Sequence, residues 1–207
     1  FFRKMDFQRL SRSLAQYAGR DKFLRASYAA LVIYATKIEN PDLQKKVMAF
    51  AKQLSAARLV FRQCNHSSMI VASGDVVEGY PRAKDKIDFS LSSIVTGLYT
   101  VYGYAEFIAW LADSKLIVAD SAKWFRYCLY LWLMALFTGI IKTVRQILKK
   151  PWNKSKNEKI TLIGFVCDFV SGANSLPTGY LWSGKLTTRQ SASLSFIASA
   201  IGFWKLY

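Results

Sequence analysis

Apolar residues recur at intervals of three and four along most of this chain, with polar or basic residues between them. From Met5 to Tyr17 the apolar set is Phe7, Leu10, Leu14 and Tyr17, separated by Arg9, Arg12, Ser13 and Gln16. This spacing predicts an amphipathic helix with a basic polar face. After Gly19 the pattern resumes through Phe23, Leu24, Tyr28, Leu31, Val32, Ala35 and Ile38, and Asn40-Pro41 ends it. A third helix is predicted from Leu43, Val47, Phe50, Leu54, Ala57 and Phe61, with Lys45, Lys46, Lys52, Arg58 and Arg62 elsewhere on the cylinder. Two readings fit these segments: helices lying in a bilayer interface with their arginines among the headgroups, or ordinary packing of helical hairpins. Residues 67–88, with Gly74, Gly79, Pro81 and mixed charge, read as a connector or short helix.

Beyond Asp88 the pattern changes from amphipathic to largely apolar. Phe89 to Ala112 is 24 residues with Glu106 as its one charge, about 36 Å as a helix, enough to cross a hydrocarbon core of about 30 Å with tilt. Tyr127 to Ile141 is 15 uncharged residues, about 22 Å as a helix. Lys123, Arg126 and Lys142 can extend it toward the headgroups, and Trp124, Tyr127, Tyr130 and Trp132 suit an interfacial belt. The short link between these segments makes them a hairpin. Lys142, Arg145, Lys149, Lys150, Lys154, Lys156 and Lys159 follow with Glu158 alone opposing, and the positive-inside rule places this loop in the cytosol. Ile160–Leu176, apolar apart from Asp168, and Gln190–Trp204 then read as a second hairpin, spanning or re-entrant. The expected fold is therefore an all-α integral membrane helical bundle. Its parts are an amphipathic basic region over 1–66, a connector over 67–88, a first hairpin over 89–148, a basic loop over 149–159 and a second hairpin over 160–207.

Composition favours lipid over nucleic acid as the partner. The 207 residues carry 29 Lys and Arg against 13 Asp and Glu, a formal charge of +16, while 52% are hydrophobic. A chain that is both apolar and basic suits an anionic membrane surface, and a soluble nucleic-acid module with such long apolar runs would aggregate. The charge is uneven: residues 1–66 hold 13 basic and 4 acidic side chains, 67–122 hold 4 and 7, and 123–207 hold 12 and 2. Cys64, Cys128 and Cys167 stand far apart, and the single histidine, His66, follows Cys64 by two residues, so no disulfide framework or zinc site is expected. No Gly-rich phosphate loop and no nucleophile beside a histidine can be found, so no enzyme and no cofactor are expected. The first twenty-five residues, dense in Arg and Lys, do not read as a secretory signal.

Three short motifs in order carry a resemblance. They are Gly19-Arg20-Asp21-Lys22-Phe23-Leu24-Arg25 after an amphipathic helix; Ala112-Asp113-Ser114-Lys115 through Val118-Ala119-Asp120-Ser121-Ala122-Lys123-Trp124 before a Trp- and Leu-rich helix; and Asp168 and Asn174 with Leu176-Pro177 and Gly179-Tyr180-Leu181-Trp182-Ser183-Gly184. Together they resemble the peroxisomal membrane protein 11 (peroxin-11) family, closest to its gamma type. The resemblance implies a multi-pass protein of the peroxisomal membrane with termini toward the cytosol, self-association into a homo-oligomer, elongation of the organelle before division, and recruitment of the fission machinery. It implies no cofactor.

On that footing a basic helix entering one leaflet would widen its headgroup area and favour curvature. The expected wedge is Phe7, Leu10, Leu14 and Tyr17, with Arg9, Arg12, Arg20, Lys22 and Arg25 as lipid-facing charges. The small pairs Ala135 with Gly139 and Ala198 with Gly202 are at the spacing used for close helix contact, within the chain or between copies. Glu106 and Asp168 are the intramembrane carboxylates. If both faced water, the alternative would be a metabolite-conducting pore.

Overall fold

The computed structural model describes the backbone of residues 2–63 and 66–207, and the side chains of 6–63 and 68–207. Cys64 and the side chain of His66 lie outside the described residues. Among those residues the protein is all-helical: α1 Phe2–Ala15, α2 Tyr17–Ala35, α3 Pro41–Gln63, α4 His66–Gly79, α5 Lys86–Asp113, α6 Ser121–Leu148, α7 Lys156–Ala173 and α8 Thr188–Trp204, with 3-10 turns at Tyr80–Arg82 and Trp152–Lys154. The helices group into two compact units, Phe1–Phe61 with Ala173–Tyr207, and Arg62–Gly172.

Local chemistry sets the helix starts. Asn40 accepts from the backbone N–H of Asp42 and Leu43, with Pro41 at the first helical position, so the dipeptide expected to end α2 in fact begins α3. Asp85 accepts from Ile87 and Asp88 at the head of α5, and Asp120 accepts from Lys123 at the head of α6. Thr187 and Gln190 form a reciprocal capping box on α8.

In the first unit α2 is central. α3 runs antiparallel to it, with Arg58 on Asp21 at 3.0 Å near one end and the Gln44 amide donating to the Ala35 carbonyl at the other. Val32, Ala51 and Ala192 are buried together between these helices and α8, under Tyr28, Leu31, Ile33 and Met48. α8 is also antiparallel to α2: Phe203 meets Phe23 at 5.9 Å between ring centroids, and Gly202 lies against the Lys22 methylenes. α1 folds back at Gln16, whose backbone is extended. A methyl group on Gly19 would lie 1.8 Å from the Ser13 carbonyl oxygen, so this elbow requires glycine. Ser13 Oγ donates to the Leu206 carbonyl at 2.9 Å, tying α1 to the turn after α8.

In the second unit α4 to α7 run alternately up and down. Ser73 and Thr100 hydroxyls lie 3.0 Å apart between α4 and α5, and Tyr80 packs edge-on against Phe89 near the joined ends. Phe165 of α7 covers Gly139 of α6, and Gly172 is pressed against Trp132 and Leu133. The segment read as a connector or short helix thus supplies α4, which packs on α5. The helices expected as a second hairpin fall in different units, α7 along α6 and α8 along α2. Their link is long enough to permit this, and Asn174 closes it by bonding both backbone groups of Leu186.

Candidate membrane interface

One exposed apolar face of the first unit lies on α3. At 100° per residue, Leu43, Val47, Phe50, Leu54, Ala57 and Phe61 fall on one narrow face. The residues that pack α3 onto α2, namely Gln44, Met48, Ala51 and Arg58, centre about 90° away. Leu43, Phe50 and Phe61 are accordingly exposed, with Val47 and Leu54 half-buried, although an apolar stripe is what a core normally consumes. Lys45, Lys46 and Lys52 are exposed on the remaining sides. The result is an uncovered apolar stripe with a basic flank.

The expected wedge in α1 is smaller than its periodicity suggests. Phe7 is open, but Leu10 and Leu14 are half-buried, and Tyr17 belongs to α2 because the extended backbone at Gln16 breaks the helix before it. Among the basic residues placed with it, Arg9, Arg12 and Arg20 are exposed, with the Arg20 guanidinium 5.7 Å above the Phe61 ring. Lys22 and Arg25 are half-buried.

In the second unit, α6 is the one helix among the described residues long and apolar enough by composition to cross a membrane. α5 has the length but carries Ser90, Ser92, Ser93, Thr96 and Thr100. Ser92, Ser93 and Thr100 donate to the carbonyls four residues earlier, which satisfies those hydroxyls inside the helix. Ile94, Val101, Tyr104 and Phe107 of α5 and Met134, Phe137, Ile141 and Val144 of α6 face outward.

Glu106 does not face water. It is 4% exposed, and Arg62 at the end of α3 reaches it at 3.0 Å. Arg62 also donates to Tyr102 Oη at 2.5 Å, and Tyr102 donates to Glu106 at 2.6 Å, closing a three-member cluster. Asp168 is likewise buried. The small pairs are used within the chain: Ala135 and Gly139 are buried, with Phe165 over Gly139, and Ala198 is buried while Gly202 packs on Lys22.

A second charged cluster escaped the sequence reading. At the paired ends of α5 and α6, Arg145 meets Asp88 at 2.8 Å and Asp85 at 3.6 Å, while Lys149 bonds both Asp85 and Asp88. The Lys149 ammonium and the backbone N–H of Asp88 hold the Asp85 carboxyl down at about 2, and Asp85 in turn raises Lys149. Its signal was present: acidic residues three apart at the head of one helix and basic residues four apart at the tail of the next match when the two run antiparallel.

The sequence profile of peroxisomal biogenesis factor 11 (PEX11) matches residues 7–159, from within α1 to the first turn of α7. The chain belongs to the PEX11 family. Two relatives, both named Peroxisomal membrane protein 11C, extend the similarity past the profile. The human protein is 21% identical over 223 aligned positions, covering 95% of this chain and 92% of the relative. The mouse protein is 24% identical over 205 positions, covering 86% and 84%. No solved structure matches the chain. Membership in the PEX11 family makes this a peroxisomal membrane protein involved in peroxisome proliferation, in a family of biogenesis factors that is not a known enzyme family.

Proposed function

We propose that this PEX11 protein promotes curvature, elongation and division of the peroxisomal membrane by lodging basic amphipathic helices in one leaflet. The observation that carries this reading is the uncovered stripe of α3, apolar along Leu43, Phe50 and Phe61 and flanked by exposed lysines. A helix of this kind lies in the headgroup layer, and each lysine near an anionic surface contributes about 1 kcal/mol. α1 adds Phe7, Arg9 and Arg12 as a lesser wedge. The hairpin of α5 and α6 crosses the bilayer and holds the wedges in place, with the basic α6–α7 loop and both termini in the cytosol. Copies associate through surfaces other than the two small-residue faces, and the elongated membrane recruits the fission machinery. The enclosed positions of Glu106 and Asp168 weigh against a pore lined by these carboxylates.

Tubulation of anionic liposomes by the reconstituted chain tests the proposal. Phe50→Glu with Phe61→Glu is expected to abolish tubules, and Leu10→Glu with Leu14→Glu to reduce them. Undiminished tubulation by the α3 variant rejects leaflet insertion by this stripe.

A further inference from the structure

The α6–α7 loop is built to present a tryptophan. Pro151 ends α6, and a 3-10 turn over Trp152–Lys154 follows. The Trp152 carbonyl accepts from Ser155 Oγ at 3.0 Å and from Lys159 Nζ at 2.8 Å, and the Lys159 ammonium lies over the indole. Trp152 is thereby fixed in place, yet 74% exposed, and Leu148 beside it on α6 is 81% exposed. Trp152, held open to solvent by an ordered turn, and Leu148, open at the end of α6, bury little of their apolar surface within the chain.

The charges around them are divided. Lys149 is taken up by Asp85 and Asp88, Lys150 by Glu158 at 2.5 Å, and Lys159 by the tryptophan itself. Lys154 and Lys156 are exposed, with no acidic partner among the described residues. A ring that is apolar on its body and polar at its N–H, next to two uncommitted ammonium groups, suits the boundary between acyl chains and anionic headgroups.

We infer that this loop is an anionic-lipid anchor, in which Trp152 and Leu148 enter the headgroup boundary while Lys154 and Lys156 bind lipid phosphates or carboxylates. It lies beside the membrane end of α6 and fixes how deep that helix sits. The inference rests on α6 spanning the bilayer, as proposed above. It concerns a different element from the α3 stripe, and it predicts a lipid-composition dependence that spanning alone does not.

The test uses the full chain with its three cysteines replaced, reconstituted in vesicles with or without anionic lipid. An environment-sensitive fluorophore is placed through Trp152→Cys or, separately, Met134→Cys on the outward face of α6. Bromolipids report which label lipid shields. The label at 134 should be shielded in both vesicles, and the label at 152 only in the anionic ones. Lys154→Gln with Lys156→Gln should lower the shielded-to-free ratio at 152 roughly thirtyfold, because two lysine contacts with anionic lipid are lost. Hydrogen exchange across residues 148–160 in the chain that keeps Trp152 should show the same composition dependence. A label at 152 that stays in water in anionic vesicles, or ignores the lysine substitutions, overturns the anchor while leaving the span intact. Shielding at 152 that grows with protein density in neutral lipid assigns the surface to a second copy and overturns it too. A label at 134 that stays in water rejects the span and the anchor together.

Discussion

Replacing Phe50 and Phe61 with serine removes the two largest exposed rings of the α3 stripe. Phe50 is 53% and Phe61 42% exposed, so together they offer close to one whole phenylalanine surface to an outside apolar phase. Burying that surface is worth about 3 kcal/mol, which is on the order of a hundredfold in the ratio of lipid-engaged to free helix. Neither ring belongs to the buried cluster of Val32, Ala51 and Ala192, so the first unit should keep its fold. The measurement follows a fluorophore at Val47→Cys in the cysteine-free full chain, reconstituted in anionic vesicles. Its shielded fraction should fall by that factor in the double variant, with far-ultraviolet circular dichroism unchanged. Substituting Gln53, exposed and off both the stripe and the packing face, by alanine serves as the control and should leave the ratio within about threefold, since no apolar surface is lost. A double variant as fully engaged as the native chain, or a control that moves the ratio equally, would show that these rings do not hold α3 in lipid.

Further outcomes follow from the two charged clusters and the elbow. Arg62→Ala should destabilise the chain in denaturant titrations by about 3–5 kcal/mol, because it leaves Glu106 buried without its cation, whereas Arg62→Leu with Glu106→Leu should recover most of that loss. Gly19→Ala should cost about 1–3 kcal/mol by forcing α1 away from α2, read as a longer distance between spin labels at residues 8 and 30. The Asp85 carboxyl is held below its ordinary 3.8, so its contribution is complete above that value and lost as pH falls toward about 2; Lys149, being raised, contributes below its ordinary 10.5 and loses its contribution only as pH climbs beyond. Exchange protection at the head of α5 should therefore stay flat from pH 5 to 9 in the native chain, and Asp85→Asn should lower it throughout that range.

Periodicity revealed most of the helices, because an amphipathic pattern and an N-cap are local properties. Asn40, Asp85, Asp120 and Thr187 each stand where side-chain chemistry starts a helix, and α3 shows its stripe in the spacing of Leu43 to Phe61. What periodicity does not encode is which face meets a neighbour. The α3 stripe could equally have been a core face until Ala51 and Arg58 were seen to do the packing, and the spacing of Leu10 and Leu14 gave no sign that both would be half-buried. Partner choice was equally hidden: α8 carries small residues that could fit several helices, and its place along α2 depends on the long Asn174-closed link. Tyr17 was misassigned to α1 because apolar spacing continues smoothly across a break made by backbone geometry at Gln16.

The two acidic sites on α5 show why the helix can be mostly apolar and still carry charge. Asp85 and Asp88 sit at its head, where the free N–H groups of the first turn favour carboxylates and the basic tail of α6 neutralises them. Glu106 lies more than four turns further on, where a lone carboxylate would be costly in protein or lipid, and a cation from α3 is spent on it. Replacing that pair with leucines would keep α5 apolar throughout and cost little stability. What it would remove is a specific register, since Tyr102 and Glu106 accept one guanidinium in one geometry. Arg62 is the penultimate residue of α3, and it and Glu106 both lie in the second unit, so the pair fixes that last turn on α5. A directional ion pair resists sliding better than apolar contact does. The double-leucine variant tests whether the retained charge also serves the leaflet bending proposed above: it should fold with near-native stability and yet tubulate liposomes less than the native chain.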